Sequence, residues 1–315
     1  MKRICSMIPL LLLSVILVAS MTIQMVKAEP SIMRWTRTYG GASDDWGRAM
    51  VQTGDGGYAL AGTTYSFGAG DYDFWLVKTN ANGDMQWNKT YGGTGTDEAW
   101  ALVQTSDGGY ALTGQTNFLG ANVSDFWLIK TDGNGNSQWD KRYGKTGSAG
   151  AHALVQTSDG GYALTGDASG FWLVKTDAYG NAQWNKTYGT VDYQAWALVQ
   201  TSDGGYALAG YNTAWDSALW LIKTDGNGNT SWNQTYGGVG DDRAFALVQT
   251  SDGGYALAGY TTSFGAGYID FWLVKTDADG VVPEFPSFPI LAAFMMAILV
   301  TIIVYKRKHV LGSRI

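Results

Sequence analysis

The chain alternates short apolar runs with turns that are rich in glycine, asparagine and aspartate. No part of the pattern keeps an apolar period of 3.6 residues over about ten positions, so helices are not indicated. The turn sequences Ser-Asp-Gly-Gly and Asp-Gly-Asn-Gly supply residues that tolerate the positive φ of tight hairpins. The pattern predicts four antiparallel strands per stretch, which in the second stretch are residues 99–105, 109–116, 125–131 and 138–143.

This pattern occurs five times along the chain. The phrase Trp-x-x-x-Tyr-Gly begins at Trp35, Trp87, Trp139, Trp184 and Trp232. The phrase Asp-Gly-Gly-Tyr begins at Asp55, Asp107, Asp159, Asp203 and Asp252. The spacing of roughly 45–52 residues is the length of one propeller blade, so we expect the repeats to stack side by side.

The third strand of each repeat indicates how the repeats pack. Its Phe-Trp-Leu-Ile run is apolar on both faces, so each sheet needs a neighbour on either side. The region opens on a lone fourth strand, residues 34–39, and ends after a third strand, residues 271–276. We therefore expect an all-β fold: a five-bladed β-propeller of four-stranded antiparallel blades at residues 33–280, closed by the N-terminal strand. An open or sandwich-like β array is the alternative.

The two ends of the chain have the composition of membrane-directed segments. Residues 1–28 combine basic residues, an apolar run and small residues, which predicts a secretory signal peptide, with an uncleaved anchor as the alternative. Residues 281–289 form a proline-rich spacer. Residues 290–305 are almost wholly apolar and predict one C-terminal transmembrane helix, and the basic tail at 306–315 indicates a cytoplasmic C terminus. The expected location is the cell surface, with the propeller outside.

Charge and cysteine content narrow the class of function. Seven of the 21 basic residues lie in the terminal segments, whereas all 27 acidic residues lie between Glu29 and Glu284. The middle of the chain, with 14 basic and 27 acidic residues, therefore carries a net charge of −13. Nucleic-acid binders need positive charge to neutralise phosphates, so that class is excluded. The single cysteine, Cys5, lies in the leader, so the repeats have no disulfide framework.

Two segments resemble known families. Pro283-Glu284-Phe285-Pro286, followed by the apolar span and the basic tail, resembles the PEF-type C-terminal sorting segment of archaeal surface proteins. That resemblance implies processing by an archaeosortase, which would exchange the span for a lipid-type anchor. The repeats resemble the Asp-Gly-Gly-Tyr propeller repeats of bacterial and archaeal surface proteins, a group mostly without assigned activity. This second resemblance implies a fold and a location but no chemistry.

Five Asn-x-Ser/Thr sequons are candidate glycosylation sites in an exported protein. They are Asn88, Asn122, Asn185, Asn229 and Asn233. Three of them belong to the repeated phrase Trp-Asn-(Lys/Gln)-Thr, so the repeat accounts for them even without glycosylation.

The turns at the two ends of the predicted blades differ in variety. Turns between strands one and two, and between three and four, are nearly uniform, whereas those between two and three and between blades vary. Uniform turns indicate scaffold, and varied loops indicate a recognition face, here for an extracellular glycan or protein. The candidate binding residues on that face are Asp45, Trp46, Asp97, Glu98, Tyr193, Trp215, Asp216, Asp241, Asp242 and Arg243. Ordinary solvated loop residues are the alternative interpretation.

One position within the first strand also varies between repeats. It is occupied by Arg48, Trp100, His152, Trp196 and Phe245. Packing in the core is the simpler interpretation. The more specific one is that these side chains together line the mouth of the channel. The repeated lysine of the third strand and glutamine of the first are expected to bond between blades, because buried polar groups need partners.

No cofactor is predicted. His152 is the only histidine of the repeats and has no partner cluster for a metal site. The Asp-x-Asn-x-Gly turns resemble part of a calcium-binding loop but lack its closing glutamate, which leaves calcium as an open alternative.

These patterns favour a non-enzymatic binding or adhesion module at the cell surface. The sequence shows no Ser/His/Asp set, metal cluster or phosphate loop. One alternative is a glycan-active enzyme that uses Asp45, Asp97 and Asp242 at the channel mouth, and another is a passive component of the cell envelope. A glycosidase needs two carboxylates about 5–9 Å apart that reach the substrate, so the setting of these aspartates tests the first alternative.

Overall fold

The computed structural model describes residues 35–117, 123–144, 147–190, 193–212 and 217–283. The chain divides into two compact units, Met1–Thr38 and Tyr39–Ile315, and every strand lies in the second. Within the described residues, nineteen strands form five sheets, in which neighbouring strands are antiparallel and consecutive in the chain.

Sheets 1 and 2 contain β1 (Asp45–Gln52), β2 (Tyr58–Thr64), β3 (Asp73–Thr79) and β4 (Met85–Tyr91), then β5 (Asp97–Gln104), β6 (Tyr110–Thr116), β7 (Asp125–Thr131) and β8 (Ser137–Tyr143). Sheets 3 and 4 contain β9 (Gly150–Gln156), β10 (Tyr162–Asp167), β11 (Phe171–Thr176) and β12 (Ala182–Tyr188), then β13 (Tyr193–Gln200), β14 (Tyr206–Asn212), β15 (Leu219–Thr224) and β16 (Thr230–Tyr236). Sheet 5 contains β17 (Asp242–Gln249), β18 (Tyr255–Thr261) and β19 (Asp270–Thr276).

Four of the five sheets have the four antiparallel strands that the repeat pattern predicts. Sheet 5 has three, and residues 35–40 form no strand, so closure by the N-terminal strand stays a prediction. Among the described residues, no helix is long and apolar enough to cross a bilayer. The expected signal peptide at 1–28 and membrane span at 290–305 lie outside those residues.

Successive sheets stack through two faces that recur along the chain. The front face of a sheet carries the phenylalanine and leucine of its third strand, Phe74 and Leu76 in sheet 1. The back face carries the residues that alternate with them, Trp127 and Ile129 in sheet 2. The front of sheet 1 packs on the back of sheet 2, with the Phe74 and Trp127 ring centres 4.8 Å apart. The next three pairs of sheets repeat this contact, which buries both faces of the third strand as the sequence predicts.

The first strand of each sheet lies on the inner side of the stack, since β5 contacts β1 and β9, and β13 contacts β9 and β17. Each first strand has a β-bulge, an extra residue that its partner strand does not match. In sheet 2 the extra residue is Trp100, between Ala99 and Ala101. A Cβ on Gly114 of β6 would lie 1.8 Å from the Glu98 carbonyl oxygen, so only glycine fits beside the bulge. A bulge changes the direction in which a side chain points, and in each sheet the bulge residue is the one that varies between repeats.

One ion pair per sheet closes the uniform turn between the first two strands. In sheet 2, Lys130 Nζ lies 2.8 Å from Asp107 Oδ2 and donates to the Thr131 carbonyl oxygen. Gly108 has a φ of 83°, and a Cβ on Gly109 would lie 2.1 Å from that same oxygen, so the turn requires both glycines. The prediction that the repeated lysines bond between blades is wrong, because each reaches the turn of its own sheet.

Glutamine and tyrosine make the side-chain hydrogen bonds between sheets. The Ser106 N–H donates to Gln156 Oε1 of the next sheet at 2.8 Å, which confirms the prediction for the repeated glutamines. The Tyr143 hydroxyl donates to the Gly180 carbonyl oxygen of the next sheet at 2.7 Å. The same bond runs from Tyr91 to Gly135, from Tyr188 to Gly228 and from Tyr236 to Gly280. Each sheet is thus tied to the next by its first strand and by its fourth.

Candidate binding face

The side chains that differ most between repeats meet where the inner strands begin. In each sheet a varied residue of the first strand lies directly opposite a varied residue of the second. These cross-strand pairs are Trp46 with Thr63, Glu98 with Gln115, Gly150 with Asp167, Gln194 with Tyr211, and Arg243 with Tyr260. The bulge residue two positions further on completes a group of three per sheet. We define these five groups, with the loops beside them, as the candidate binding face.

The bulge residues of sheets 2 to 5 contact one another in a row. The ring centre of His152 lies 4.6 Å from that of Trp100 and 4.0 Å from that of Trp196, on which it stacks at 15°. Trp196 meets Phe245 edge-on at 5.5 Å, and Phe245 is 41% exposed. Trp196 Nε1 is buried and makes no hydrogen bond among the described residues. The varied position therefore forms a packed aromatic row along the inner strands that opens to solvent at Phe245.

A histidine–aspartate pair lies beside this row, with the His152 side chain 5% exposed and that of Asp167 36% exposed. His152 Nδ1 lies 3.0 Å from the Ala195 carbonyl oxygen, and His152 Nε2 lies 3.1 Å from Asp167 Oδ1. Burial lowers the pKa of His152 and raises that of Asp167, and the attraction between the two groups opposes both shifts. The Nδ1 contact requires a proton on Nδ1, and the Nε2 contact shares one proton between the imidazole and the Asp167 carboxyl group, so the pair carries no net charge.

A cation held between aromatic rings lies in sheet 5. The Arg243 guanidinium carbon lies 4.3 Å from the ring centre of Tyr211 and 5.6 Å from that of Tyr260. One terminal nitrogen lies 3.2 Å from Asp241 Oδ2, whereas Nε is buried without a hydrogen-bond partner among the described residues. The rings and the carboxylate fix the guanidinium in one orientation. The Arg243 side chain is 26% exposed, so part of it faces solvent and can be reached by a ligand.

An exposed aromatic cluster lies in sheet 1. Trp46 is 40% exposed and stacks on Tyr72, with ring centres 5.3 Å apart and an interplanar angle of 27°. Tyr65 packs on Tyr72 at 5.1 Å, and the Arg48 guanidinium lies 5.7 Å from the Trp46 ring. Flat aromatic faces beside a charged donor can stack on a sugar ring or an aliphatic side chain and hydrogen-bond to its polar groups.

The aspartates considered for catalysis close turns instead of facing a substrate. Asp242 is fully buried and accepts hydrogen bonds from the Gly238 N–H at 2.9 Å, from Ser263 at 2.6 Å and from Thr261. Asp45 makes the same three kinds of bond in sheet 1. A carboxylate whose two oxygens both accept hydrogen bonds from its own turn is held in place as a structural acceptor.

The third of these aspartates is Asp97, and its burial and the pKa of Asp45 also favour a structural role. Asp97 is fully buried, and its Oδ2 accepts a 2.9 Å bond from the Gly93 N–H, whereas its buried Oδ1 has no hydrogen-bond partner among the described residues. Burial works to raise the pKa of Asp45, but hydrogen bonds from Thr64, from the N–H of residue 41 and from Ser66 outweigh it and lower that pKa. A general acid at neutral pH needs the opposite shift.

The other predicted binding residues are distributed unevenly. Glu98 Oε2 accepts a 2.8 Å bond from the glutamine opposite it in β6. Tyr193 packs on Trp220 with ring centres 4.8 Å apart, so it belongs to the contact between sheets 3 and 4. Trp215 and Asp216 lie outside the described residues.

The sequon asparagines have a structural role in the outer strands. Asn88, Asn185 and Asn233 accept hydrogen bonds of 3.1–3.2 Å from the indoles of Trp75, Trp172 and Trp220. In sheet 2 an aspartate, Asp140, accepts the corresponding bond from Trp127 at 3.0 Å. The indole therefore explains these asparagines without a glycan. Asn229 lies in a turn and donates to Asp225, and Asn122 lies outside the described residues.

The turns that resemble part of a calcium loop use their carboxylates internally. Asp132 Oδ1 accepts from the N–H groups of Asn134 and Asn136 at 2.9 and 2.8 Å, and Oδ2 accepts from the Asn136 side chain at 2.9 Å. In the part of the chain that the structure describes, no three His, Cys, Asp or Glu side chains come together as metal ligands.

Sequence reasoning missed the half of the binding face that the second strands supply. Gln115, Asp167, Tyr211 and Tyr260 each follow the glycine that makes room for the bulge. Comparison of the repeats at this position would have found them, because the residue there changes in size and charge. What the sequence could not show is that they face the first-strand residues directly.

No family model and no curated protein matches the chain. The chain is similar to the crystal structure of a protein of unknown function from Bacteroides caccae, with a TM-score of 0.51 and 12% identity over 75% of this chain and 79% of that one. It is also similar to the WD40 beta propeller domain of Doa1 (TM-score 0.35, 10% identity, 67% of this chain, 88% of that one). A third similarity is to exo-beta-1,3-galactanase from Phanerochaete chrysosporium (TM-score 0.44, 13% identity, 79% of this chain, 64% of that one).

These similarities indicate no activity, since the identities are 10–13% and the protein with the TM-score above 0.5 is itself of unknown function. The strand order defines the class of this protein. It is an all-β repeat protein, built as a stack of antiparallel sheets.

Proposed function

We propose that this protein is a non-enzymatic binding module on a cell surface, which holds a glycan or protein ligand on the candidate binding face. The observation that carries the proposal is the exposed aromatic cluster of sheet 1, in which Trp46 is 40% exposed and stacked on Tyr72 beside Arg48. Aromatic faces next to a cation are common where proteins bind sugars and peptides, because they bury apolar area and still offer donors. The Arg243 cluster offers a second set of such groups.

The location is part of the proposal. It rests on the signal-like residues 1–28, on the PEF-type segment and on the apolar residues 290–305, whether that span is kept or exchanged for a lipid-type anchor. The proposal also takes the five sheets as propeller blades, the last of them completed by a strand with the sequence of residues 35–39.

A glycan-active enzyme receives less support from the structure. Asp97 and Asp242 are fully buried, and Asp45 and Asp242 each accept three hydrogen bonds from their own loops. Catalysis by a carboxylate pair needs both groups to reach the scissile bond, one as acid and the other as base or nucleophile. We therefore keep the enzyme and the passive envelope component as outcomes of the test.

The test passes the full chain, kept soluble with a mild detergent, over immobilised envelope polysaccharides and surface proteins, with and without calcium. We expect retention without released sugar, and Trp46→Ala should weaken binding at least about tenfold, as for other central aromatic anchors. Tyr179→Ala is the matched control, since Tyr179 is 71% exposed but lies in a uniform turn at the other end of the strands.

Three results would count against the proposal. Released sugar would favour the enzyme. No retention on any surface would leave the passive envelope role. Retention that Trp46→Ala and Tyr179→Ala weaken equally would remove the ligand from the candidate binding face.

A further inference from the structure

The stack of sheets ends on an apolar face on which no other described sheet packs. On the front of sheet 5, Phe271 is 86% exposed and Leu273 is 67% exposed. Their counterparts on the fronts of the other sheets are all fully buried: Phe74, Phe126, Phe171, Leu76, Leu128, Leu173 and Leu221. The same side chains are thus core in four sheets and surface in the fifth. A patch of this kind on a soluble domain marks a contact site.

At the other end of the stack, the first strand presents the matching part of that contact. On the back of sheet 1, Met50 is 62% exposed, whereas its counterparts in sheets 2 to 5 are 6–7% exposed. The third-strand residues of that back face, Trp75 and Val77, are 6% and 2% exposed, so the open part is the first strand. Gln52 is exposed as well. In the later sheets that glutamine accepts a backbone hydrogen bond from the turn of the preceding sheet, as Gln249 does from the Ser202 N–H at 2.9 Å.

The missing fourth strand of sheet 5 has its sequence at the N terminus. Residues 35–39 read Trp-Thr-Arg-Thr-Tyr, the fourth-strand phrase of the other repeats. The Tyr39 hydroxyl donates to the Gly83 carbonyl oxygen, which is the bond that every fourth-strand tyrosine makes with the following sheet. Tyr39 therefore takes the place of the outer strand of a sheet that would precede sheet 1. The repeats thus open with the phrase of a last strand, at residues 35–39, and sheet 5 has only the first three strands among the described residues.

We infer that the front of sheet 5 is an interaction surface for a second copy of this chain. The second copy supplies residues 35–39 as the fourth strand of sheet 5 and its own sheet 1 as the next sheet of the stack. The pairing of β3 with β4 sets the register: Phe271 lies opposite Tyr39, Leu273 opposite Arg37, and Lys275 opposite Trp35. The Ser251 N–H then meets the second copy's Gln52, as Ser202 meets Gln249.

A second copy accounts for both ends of the stack at once. Tyr39 is hydrogen-bonded to sheet 1, and Phe271 and Leu273 of sheet 5 are exposed. Among the described residues, no strand pairs with the outer edge of β19, and such an edge is a template for a strand from another molecule. The four internal contacts already show that the front and back faces are complementary. A head-to-tail contact of this kind closes into a ring of copies or continues as a chain, depending on the rotation between them.

A mixed disulfide tests the register between copies. All variants carry Cys5→Ser, so that the only thiols are the introduced ones. One full-length chain carries Leu273→Cys and a differently tagged one carries Arg37→Cys. Because directly opposite residues of paired strands have Cβ atoms about 4.5–5.5 Å apart, we expect a disulfide-linked dimer with both tags after mild oxidation. Lys186→Cys replaces Arg37→Cys in the control, since Lys186 has the equivalent place in a sheet that is already complete.

Sedimentation of the full chain in density-matched detergent tests the apolar contact. We expect the wild-type chain to associate beyond the monomer, and Phe271→Asp to raise the midpoint concentration of association at least about tenfold, because an unpaired charge would enter the contact. Tyr179→Asp should leave that midpoint unchanged, since Tyr179 lies far from either end of the stack.

The outcomes separate the second copy from closure within one chain. A chain that carries both Leu273→Cys and Arg37→Cys and forms only an internally linked monomer, with no mixed dimer, would overturn the proposal in favour of a closed ring. The proposal also fails if no link forms in either arrangement, or if the wild type and Phe271→Asp are equally monomeric. Ligand binding plays no part in these readouts, so they stand apart from the proposed function.

Discussion

At the scale of single residues, the polar groups of the repeats divide into those with complete hydrogen bonding and those without. The turn carboxylates are complete, as Asp132 shows by accepting on both oxygens. On the candidate binding face, Trp196 Nε1 and Arg243 Nε are buried without a partner among the described residues. A buried donor left unpaired costs about 1–3 kcal/mol, so a ligand acceptor that pairs with one would recover part of that free energy.

Trp196→Phe separates packing from recognition at this position. The phenyl ring keeps contact with His152 and Phe245 and removes the unpaired N–H, so we expect the free energy of unfolding to stay within about 1 kcal/mol of wild type. Trp196→Ala, in contrast, should cost about 2–3 kcal/mol, because a half-buried ring is lost from the row. Denaturant unfolding checks both values.

The same two variants carry a prediction for ligand binding. If the indole N–H donates to the ligand, Trp196→Phe should weaken binding about fivefold or more at unchanged stability, the loss expected for one hydrogen bond. Equal affinity of Trp196→Phe and wild type would show that the indole serves packing alone.

At the scale of elements, the turn between the first two strands owes its shape to one buried lysine. Lys130 is 5% exposed at its side chain and reaches Asp107, which is 57% exposed. Burial works to raise the pKa of Asp107, but hydrogen bonds from Lys130, Thr105 and the Gly109 N–H outweigh it and lower that pKa to about 2. The pKa values of Asp159 and Asp203 are likewise lowered to about 2 in the next two sheets.

These turns predict a loss of stability in acid. Because the folded pKa values lie below the unfolded value of about 3.9, the stabilisation is present above pH 4 and is lost as the pH falls towards 2. Lys130→Met should lower the free energy of unfolding at pH 7 by about 1 kcal/mol or less, since the carboxylate is exposed, and should flatten the acid limb. Unfolding curves at a series of pH values from neutral to acid measure this.

The exposed counterpart of this lysine provides the control. Lys275 makes the same pair with Asp252 in sheet 5, but its side chain is 42% exposed. Lys275→Met should therefore change stability less than Lys130→Met does at every pH. A larger effect at sheet 5 would contradict the link between burial of the lysine and the strength of the turn.

At the scale of the whole molecule, stability is a sum over sheets and over the contacts between neighbours, as in other repeat arrays. Each contact adds a front-to-back apolar layer, a glutamine bond at the first strand and a tyrosine bond at the fourth. Burial raises the pKa of Tyr143, so its hydroxyl stays protonated and donating in the folded state. The contact of sheets 2 and 3 therefore depends on a neutral tyrosine.

Tyr143→Phe tests the outer part of that contact. The variant leaves the buried Gly180 carbonyl without this donor, which should cost about 1–2 kcal/mol near neutral pH. Because the folded pKa of Tyr143 is raised, the wild-type bond stabilises the protein below the unfolded pKa of about 10 and weakens at higher pH. The difference between the variant and wild type should therefore shrink as the pH rises above 10. Tyr179→Phe, in an exposed turn, should show no difference at any pH.

The sequence by itself determined the local parts of this protein. The number of strands per repeat, the glycine turns and the two apolar faces of the third strand follow from residue types at fixed short spacings. The structure confirms the turns and faces, and it confirms four strands in four of the five sheets of described residues. Such features depend on backbone preferences and on alternation along one strand, which a sequence displays directly.

Only the tertiary structure decided which residues meet. The lysine partners were predicted wrongly, and the aspartates considered for catalysis proved to be turn acceptors, because both depend on register between strands and not on spacing along one strand. The bulge likewise brings His152 beside Asp167 across two strands. The sequence also could not show which faces are exposed at the ends of the stack. Identical sequence phrases are buried or exposed according to whether a neighbouring sheet is present. Burial is a property of the assembled sheets, and no single repeat contains it.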